Sequence, residues 1–365
     1  MINSVQLKNF GPLTELDWQN LGQINLVIGN NGSGKSFLLK ALYSAVRTLE
    51  DFKRGDNPDS AAEILADKLF WTFQSEKIGD LVTILSDGTL SFSLMFNENN
   101  FSYSFDKNTT KTISTLKNQV IPRAANSIFL PAKEILSLHH LILKSRELDK
   151  QFGFDDTYLD LARALHQTPT AINQFFGFDG SGGTGFDQAP FYNSDSPIRG
   201  QGSNDFNDSR QRLEVIIGGK IEFDDAKKRW YFKKSDQRFP MGTTAEGIKK
   251  IAILDTLLGN GYLSEKSIIF IDEPESALHP EAISKLLDII AILAKHGIQF
   301  FMASHSYFVI KKLFLIAQEQ KMSIPALSFQ DNEWVQSDLK DDLPDNPIID
   351  ESIRLYEEEV DLAFK

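Results

Sequence analysis

The chain contains no cysteine, so it can form neither a disulfide nor a thiolate metal site. That absence suits a cytoplasmic protein. Histidine is scarce too, with 6 in 365 residues. The adjacent pair His139-His140 has no matched carboxylate or third ligand nearby in the sequence, so packing is its expected role. Long apolar runs are missing. The longest, such as Ile289 to Ala294, fall far short of the roughly 20 residues a membrane span needs, and no secretory signal pattern opens the chain. Positive charge is in deficit: 38 Lys and Arg stand against 50 Asp and Glu, a net charge of −12. This disfavours nonspecific attraction to a polyanion as the main activity. Apolar residues make up 41% of the chain, enough for a sizeable core, and the length accommodates two domains.

The most informative segment is Gly29-Asn30-Asn31-Gly32-Ser33-Gly34-Lys35-Ser36, which fits G-x-x-x-x-G-K-[ST] in full. It follows a strand-like run, Ile24 to Ile28, and opens a helix-like one, Phe37 to Leu49. The glycines and asparagines let the backbone curl so that its N–H groups face phosphate oxygens. The helix adds the partial positive charge of its N-terminus. Asn30, Asn31, Gly32, Ser33 and Gly34 thus form the expected cradle for ATP. Lys35 is expected to reach the β- and γ-phosphates, and the Ser36 hydroxyl to hold Mg²⁺.

A second segment completes that chemistry. Ser267 to Ile271 is a continuous β-branched and aromatic run, as in a strand buried on both faces of a parallel sheet, and it ends in Asp272-Glu273-Pro274-Glu275. Carboxylates at the C-terminal end of such a strand lie where open α/β sheets bind ligands. Asp272 is the expected metal-orienting residue and Glu273 the group that polarises the attacking water. A third apolar run, Phe300 to Ala303, ends in Ser304-His305-Ser306, whose histidine can hydrogen-bond a γ-phosphate or the attacking water. Lys35, Glu273 and His305 are therefore the catalytic candidates, and Ser36 and Asp272 the metal candidates.

Taken together, GNNGSGKS, IIFIDEPESALHP and ASHS resemble the ATP-binding-cassette ATPase heads of the RecF, SMC and OLD type. The phrase DEPESALHP is similar to that of stand-alone ATPases related to OLD-family and Septu-type antiphage proteins. The resemblance covers residues 1–50 and 210–345. It implies an α/β P-loop NTPase, an ABC-ATPase head with a mixed sheet, a helical lobe and an antiparallel β lobe. It also implies a D-loop at Ser276 to His279 that crosses a dimer interface. Spacing agrees: Lys35 and Asp272 lie 237 positions apart (272 − 35), far more than in compact P-loop switches. No sustained heptad fills the gap, which argues against a long coiled coil.

The family's signature element departs from pattern here. The candidate is Met241 to Lys250, preceding an amphipathic run from Ile251 to Leu258. Ala245 takes the usual serine position and Glu246 that of the first glycine; Thr243 or Thr244 supplies the hydroxyl, and Thr244 and Gly247 are the trans-acting candidates carried forward, with Ser276 and Ala277. The other bland reading of this stretch is a plain helix N-cap. In the loop that follows Ser127 to Leu130, where the family carries a metal-sensing glutamine, Lys133 or Glu134 stands in. Phe10, in the turn Lys8 to Pro12, reads as core packing in preference to a base platform.

The expected organisation is a discontinuous ATPase core (1–50 and 210–345), an inserted lobe (51–209) with a mobile Gly/Ser/Asp/Asn loop at about 177–207, and a helical tail (346–365). Residues 56–71 read as a helix, 80–106 as antiparallel strands, and 211–234 as a helix followed by a hairpin. In that hairpin Lys227, Lys228, Arg229, Lys233, Lys234 and Arg238 interleave with Trp230 and Tyr231, either as a solvated rim or as a nucleic-acid surface.

The expected function is a Mg²⁺-dependent ATPase that dimerises head to head around ATP and controls an effector, such as a nuclease or toxin, or a nucleic acid. The resemblance favours antiphage defence. The alternatives are a RecF/SMC-type repair ATPase and a self-contained nuclease. The nuclease reading suffers because only 60 residues follow His305, too few for a TOPRIM domain.

Overall fold

The computed structural model describes residues 1–86, 88–165, 206–224, 226–331 and 333–364. The loop expected at 177–207 lies outside the described residues, except that Phe206 and Asn207 lead into a helix.

Every residue of β3 (Ile24–Ile28) and β12 (Gln299–Ser304) is buried, as the unbroken apolar runs require of central parallel strands. Together with β7 (Ile128–Leu130), β11 (Ile268–Asp272), β13 (Pro325–Gln330) and β14 (Glu333–Asp338) they form a six-stranded sheet in the order β14-β13-β3-β12-β11-β7. All neighbours are parallel except the β13–β14 hairpin at the edge, so the sheet is mixed. A second sheet is wholly antiparallel, in the order β2-β1-β4-β5-β6, and comprises β1 (Ile2–Phe10), β2 (Leu13–Trp18), β4 (Leu90–Phe96), β5 (Asn99–Phe105) and β6 (Thr115–Asn118). β4 and β5 bury alternate residues, such as Phe92 and Leu94, Phe101 and Tyr103, so these central strands turn one face to the core.

The strands of 51–209 are continuous with those at the chain's ends. β4 extends the β1–β2 hairpin, and β7 pairs with β11. The helix expected at 56–71 is α2 (Ala61–Phe73). It begins after Pro58 because Ser60 and Glu63 form a reciprocal capping box. After β7 and the segment Pro131-Ala132-Lys133-Glu134, the chain turns helical at α3 (His139–Leu143), which widens into a π-helical turn, Lys144–Leu148. The 211–234 reading corresponds to α5 (Asn207–Ile217), β8 (Lys220–Asp224) and β9 (Arg229–Lys234), with Phe223 opposite Trp230. A third strand, β10 (Gln237–Pro240), was not legible because it ends in proline and all its residues are exposed.

Strand parity sorts the core. Ile24, Leu26, Ile28, Ile269, Ile271, Phe300 and Met302 face one side of the central sheet, against α4 (Asp156–Leu165), α6 (Glu246–Gly259), α7 (Pro280–Lys295) and α8 (Tyr307–Gln320). Val27, Phe129, Phe270, Phe301 and Ala303 face the other side, against α1 (Lys35–Asp51) and the antiparallel sheet. Tyr43 of α1 meets Phe129 and Phe270 edge-on, each at 5.7 Å between ring centroids. Phe10 is fully buried against Phe37 and Phe92, the packing role expected of it.

α1 is also anchored by charge. Arg47 contacts Glu50 at 2.9 Å, Asp51 at 3.2 Å and Asp160 at 3.4 Å. Lys68 of α2 reaches Asp160 at 3.2 Å and Asp156 at 3.3 Å, and the Tyr43 hydroxyl donates to Asp160 at 2.7 Å. Lys68 and Arg47, opposing a large burial penalty, hold the Asp160 carboxyl far below the usual carboxylate range. The network ties α1, α2 and α4 together, and with them the loop that α1 terminates.

At the far end, α9 (Pro347–Ala363) starts with Asn346 accepting from Ile348 N–H and proline in the first turn. Among the described residues, no helix is long and apolar enough to cross a membrane.

Candidate functional site

The loop between β3 and α1 takes the shape its glycines allow. Gly32 and Gly34 have φ of 82° and 97°, in the region that favours glycine. A Cβ on Gly29 would lie 2.8 Å from Ser33 Oγ and 3.1 Å from Phe329 Cβ. Gly34 caps α1 without a side-chain hydrogen bond, and the first turn of α1 carries no acid. The N–H groups at that terminus are therefore left for an anion. Lys35 lies folded against its own loop, its Nζ donating to the Gly29 carbonyl at 2.7 Å and the Asn30 carbonyl at 2.8 Å. Burial lowers its pKa, while Asp272, Glu273 and Glu275 pull the other way.

β11 brings Asp272 to the start of α1. Ser36 Oγ donates to Asp272 Oδ2 at 2.7 Å. Asp272 Oδ1 is buried with no hydrogen-bond partner. Burial raises this carboxyl's pKa, the Ser36 bond lowers it, and the Glu273 charge raises it. An orphaned buried carboxylate oxygen beside a serine hydroxyl is the donor set that a hard divalent cation completes with phosphate and water oxygens. Ser36 and Asp272 therefore fit Mg²⁺ chemically. Among the described residues no three His, Asp or Glu gather into a cation cage, so phosphate oxygens would have to supply the rest of the shell.

Glu273 follows with φ 48°, left-handed backbone that costs a non-glycine residue on the order of 1 kcal/mol. Its N–H donates to the Ala303 carbonyl at 2.9 Å, tying the turn to β12. His305 Nδ1 lies 3.6 Å from Glu273 Oε1 and 3.7 Å from Glu275 Oε1. Glu275 Oε1 also accepts from Ser304 Oγ at 2.8 Å and His305 N–H at 3.2 Å. His305 and Glu273 thus lie side by side, and the charges of Asp272, Glu273 and Glu275 act on the Lys35 ammonium.

Gly247 is buried against the turn expected to be the D-loop: a Cβ there would lie 2.5 Å from the Ala277 carbonyl oxygen and 2.6 Å from Leu278 Cδ2. The close approach glycine permits is thus to Ala277, itself left-handed at φ 60°. Ser276 is half-buried and Ala277 exposed. Thr244 Oγ1 donates back to the Pro240 carbonyl at 3.3 Å, so the hydroxyl nearest the degenerate signature is engaged locally. α6 starts at Glu246, five residues before the expected run, with Ala245 as an N-cap that makes no side-chain bond. The stretch is thus a helix start, as the bland reading has it, but with no side-chain cap from either threonine.

Sequence reasoning did not single out three participants. Glu275 fixes Ser304 and His305, and its second oxygen is buried without a partner. Lys249 Nζ bonds Glu134 Oε1 at 2.9 Å, so the acid after β7 is held by α6. Lys133 is exposed. Lys250 Nζ donates to the carbonyls of Glu273 at 2.6 Å and Asp272 at 3.2 Å. Burial pulls its pKa down to about 8 against the attraction of Glu275, Asp272 and Glu273. Glu275 repeats the acid of Glu273 two residues on, a signal that was available. Lys250 had none.

The other candidates resolve into packing. His139 is buried, its Nε2 3.0 Å from the Ala162 carbonyl and its ring against Phe223 and Trp230. Trp230 is core, and the Arg238 guanidinium sits over the Tyr231 ring while pairing with Glu222 and Asp224. The hairpin's aromatics are therefore no open stacking platform.

A family model described as "AAA domain, putative AbiEii toxin, Type IV TA system" matches residues 24–311. Over 52 residues, 14% of the chain, the sequence is 42% identical to an uncharacterized protein of Methanocaldococcus jannaschii, MJECL10, of which 24% is covered. Over 174 residues, 46% of the chain, it is 26% identical to the DNA double-strand break repair Rad50 ATPase of Sulfolobus acidocaldarius, of which 17% is covered. The chain thus matches only a quarter or less of the length of these curated relatives. Among solved structures, an SMC head bound to the C-winged helix domain of ScpA aligns with a TM-score of 0.52 at 11% identity, covering 93% of this chain and 98% of that one. That likeness establishes the fold, a mixed α/β P-loop ATPase head of the ABC type.

Proposed function

This chain belongs to the AAA_21 family of AAA domains, and on that premise we propose that it is a Mg²⁺-dependent ATPase whose ATP-bound copies close head to head. The observation that carries the reading is the Ser36–Asp272 hydrogen bond at 2.7 Å, with Asp272 Oδ1 buried and unpaired beside it. Bound Mg²⁺ would neutralise charge on the β- and γ-phosphates there. Lys35 exchanges its loop carbonyls for phosphate oxygens. Glu273 accepts the proton of the attacking water, and His305, beside Glu273 and Glu275, orients the same region. Catalysis of this kind is positioning and charge stabilisation.

Dimerisation rests on the D-loop. Ser276 and Ala277 lie at the surface next to Gly247, where a second copy could complete the nucleotide site. The output we propose is control of an effector protein or a nucleic acid in antiphage defence. The family's description in terms of a toxin–antitoxin system supports that output. A DNA-repair role is the second reading, favoured by the similarity to a Rad50 ATPase.

Glu273→Gln tests the proposal. The amide keeps the size but cannot take the proton, so turnover should fall by about 10²–10⁴-fold while ATP still binds. The variant should then elute as a dimer with ATP and Mg²⁺, by size-exclusion chromatography with light scattering. Unchanged turnover would remove Glu273 from the chemistry. A variant that stays monomeric with ATP bound would count against head-to-head closure.

A further inference from the structure

Two adjacent lysines on α6 point to different parts of the site. Lys249 holds Glu134 at 2.9 Å and Ser137 Oγ at 3.2 Å, both in the segment after β7. Lys250 inserts its ammonium beneath the end of β11 and donates to the carbonyls of Asp272 and Glu273. One turn before it, Gly247 rests on Ala277. Gly247 and Lys250 are i and i+3 on one helix face, so a single face of α6 grips the Asp272-to-Leu278 turn at both ends.

That turn needs holding. It contains two left-handed non-glycine residues, Glu273 at φ 48° and Ala277 at φ 60°. Inside the turn, Ser276 N–H donates to the Glu273 carbonyl at 3.0 Å and Leu278 N–H to the Glu275 carbonyl at 3.0 Å. The carbonyl of this left-handed Glu273 is the atom Lys250 approaches at 2.6 Å. A buried ammonium is expensive unless its protons are used. Here it is spent on two main-chain oxygens in preference to a carboxylate, so its consequence is a backbone geometry.

We propose that Lys250 is a positioning residue: it fixes the left-handed backbone of Glu273, and so makes the aim of the Glu273 carboxylate depend on where the first turn of α6 sits. Lys249 ties the same turn to Glu134, so α6 links the segment after β7 to the acidic turn. The proposal rests on the ATPase reading for its catalytic consequence but not for its structural one.

The test compares Lys250→Met, which keeps length and loses the donor, with Lys250→Arg, which restores one. Hydrogen exchange on the nucleotide-free protein reads the clamp directly. In Lys250→Met, amides of residues 273–278 should lose about tenfold or more in protection while those of β12 and α7 keep theirs. Turnover should fall by about 10²-fold, the order expected of a slightly misaimed group, with Mg·ATP affinity held within about threefold. Lys250→Arg should recover most of both losses. Unchanged protection at 273–278 in Lys250→Met would overturn the proposal, as would a loss of affinity in place of turnover. A uniform loss of protection across the chain would also refute it, because Lys250 would then be a general stability residue. If the unmodified protein turns over no ATP, the ATPase reading fails, and the exchange measurement still decides the clamp.

Discussion

Ser36 and Asp272 share a 2.7 Å hydrogen bond across a sequence separation of 236. One sits in the first turn of α1 and the other at the last residue of β11, two elements that meet because α1 lies across β11 and β12. The Ser36 hydroxyl occupies one carboxylate oxygen and leaves the other, Oδ1, buried and unsatisfied. Asp272→Asn should therefore abolish the effect of Mg²⁺ on ATP affinity. Titration calorimetry with Mg²⁺ and with EDTA should differ by about tenfold or more for the unmodified chain, or about 1.4 kcal/mol, and by little for the variant. An unaltered Mg²⁺ dependence in Asp272→Asn would separate this carboxylate from the metal.

Lys35 donates to Gly29 and Asn30 in the structure, so removing it costs the loop two hydrogen bonds as well as a phosphate-seeking charge. Lys35→Ala is expected to lose measurable ATP binding or turnover while remaining folded. Calorimetry and a phosphate-release assay check both. Full affinity together with full turnover would refute the site.

Gly247→Ala and Gly242→Ala form a matched pair. A Cβ on Gly247 would meet the Ala277 carbonyl oxygen at 2.5 Å, whereas one on Gly242 meets nothing within 4 Å. The first should destabilise the protein by about 1–3 kcal/mol, and the second should change it by less than about 0.5 kcal/mol. Urea unfolding of the two variants reads the difference. Equal stabilities would mean that α6 and the turn at Ala277 are not in contact.

The buried charges behind α1 should make the protein acid-labile. The Asp160 carboxyl is depressed in the folded state, so its contribution is present above the pKa of an unfolded aspartate, roughly 4, and is lost as pH falls toward the depressed value. Asp160→Asn leaves Lys68 and Arg47 buried with one anion fewer and should cost about 3–5 kcal/mol near neutrality. Below pH 4 the gap between the two proteins should narrow. Denaturant titrations at pH 7 and pH 3.5 measure it, and a gap that widens in acid would reverse the assignment.

On the proposed reading, in which the chain acts by controlling an effector, the purified chain alone is expected not to cut DNA or RNA. Incubation with plasmid, linear DNA and structured RNA, with Mg²⁺ or Mn²⁺ and with or without ATP, tests this. Cleavage that tracks the protein through purification and through the Lys35→Ala and Glu273→Gln variants would overturn partner dependence.

Much of the candidate site was legible in the sequence, because the chemistry proposed for it is carried by short contiguous stretches. A glycine-rich loop between an apolar strand and a helix can bind phosphate in few ways, and residues 29–36 dictate their own backbone. The strands Ile24–Ile28 and Ile268–Asp272 were legible for a similar reason: burial on both faces demands an unbroken apolar run. Short or polar elements escaped. β10 pairs with β9 through backbone groups that any residue possesses, and α6 began five residues early because Ala245 gives no capping signal.

The sequence by itself determined the P-loop, the acidic strand end and the histidine that follows β12, because each is a local pattern whose residues act within a few positions of one another. Tertiary structure alone decided that β4 joins β1, that Gly247 packs on Ala277 of its own chain, and that Lys250 holds the turn at Glu273. These contacts are made to main-chain atoms. Every residue carries a carbonyl oxygen, so no side-chain pattern in the sequence records which lysine will find it; only the placement of Lys250 beside the turn at the end of β11 selects the pair.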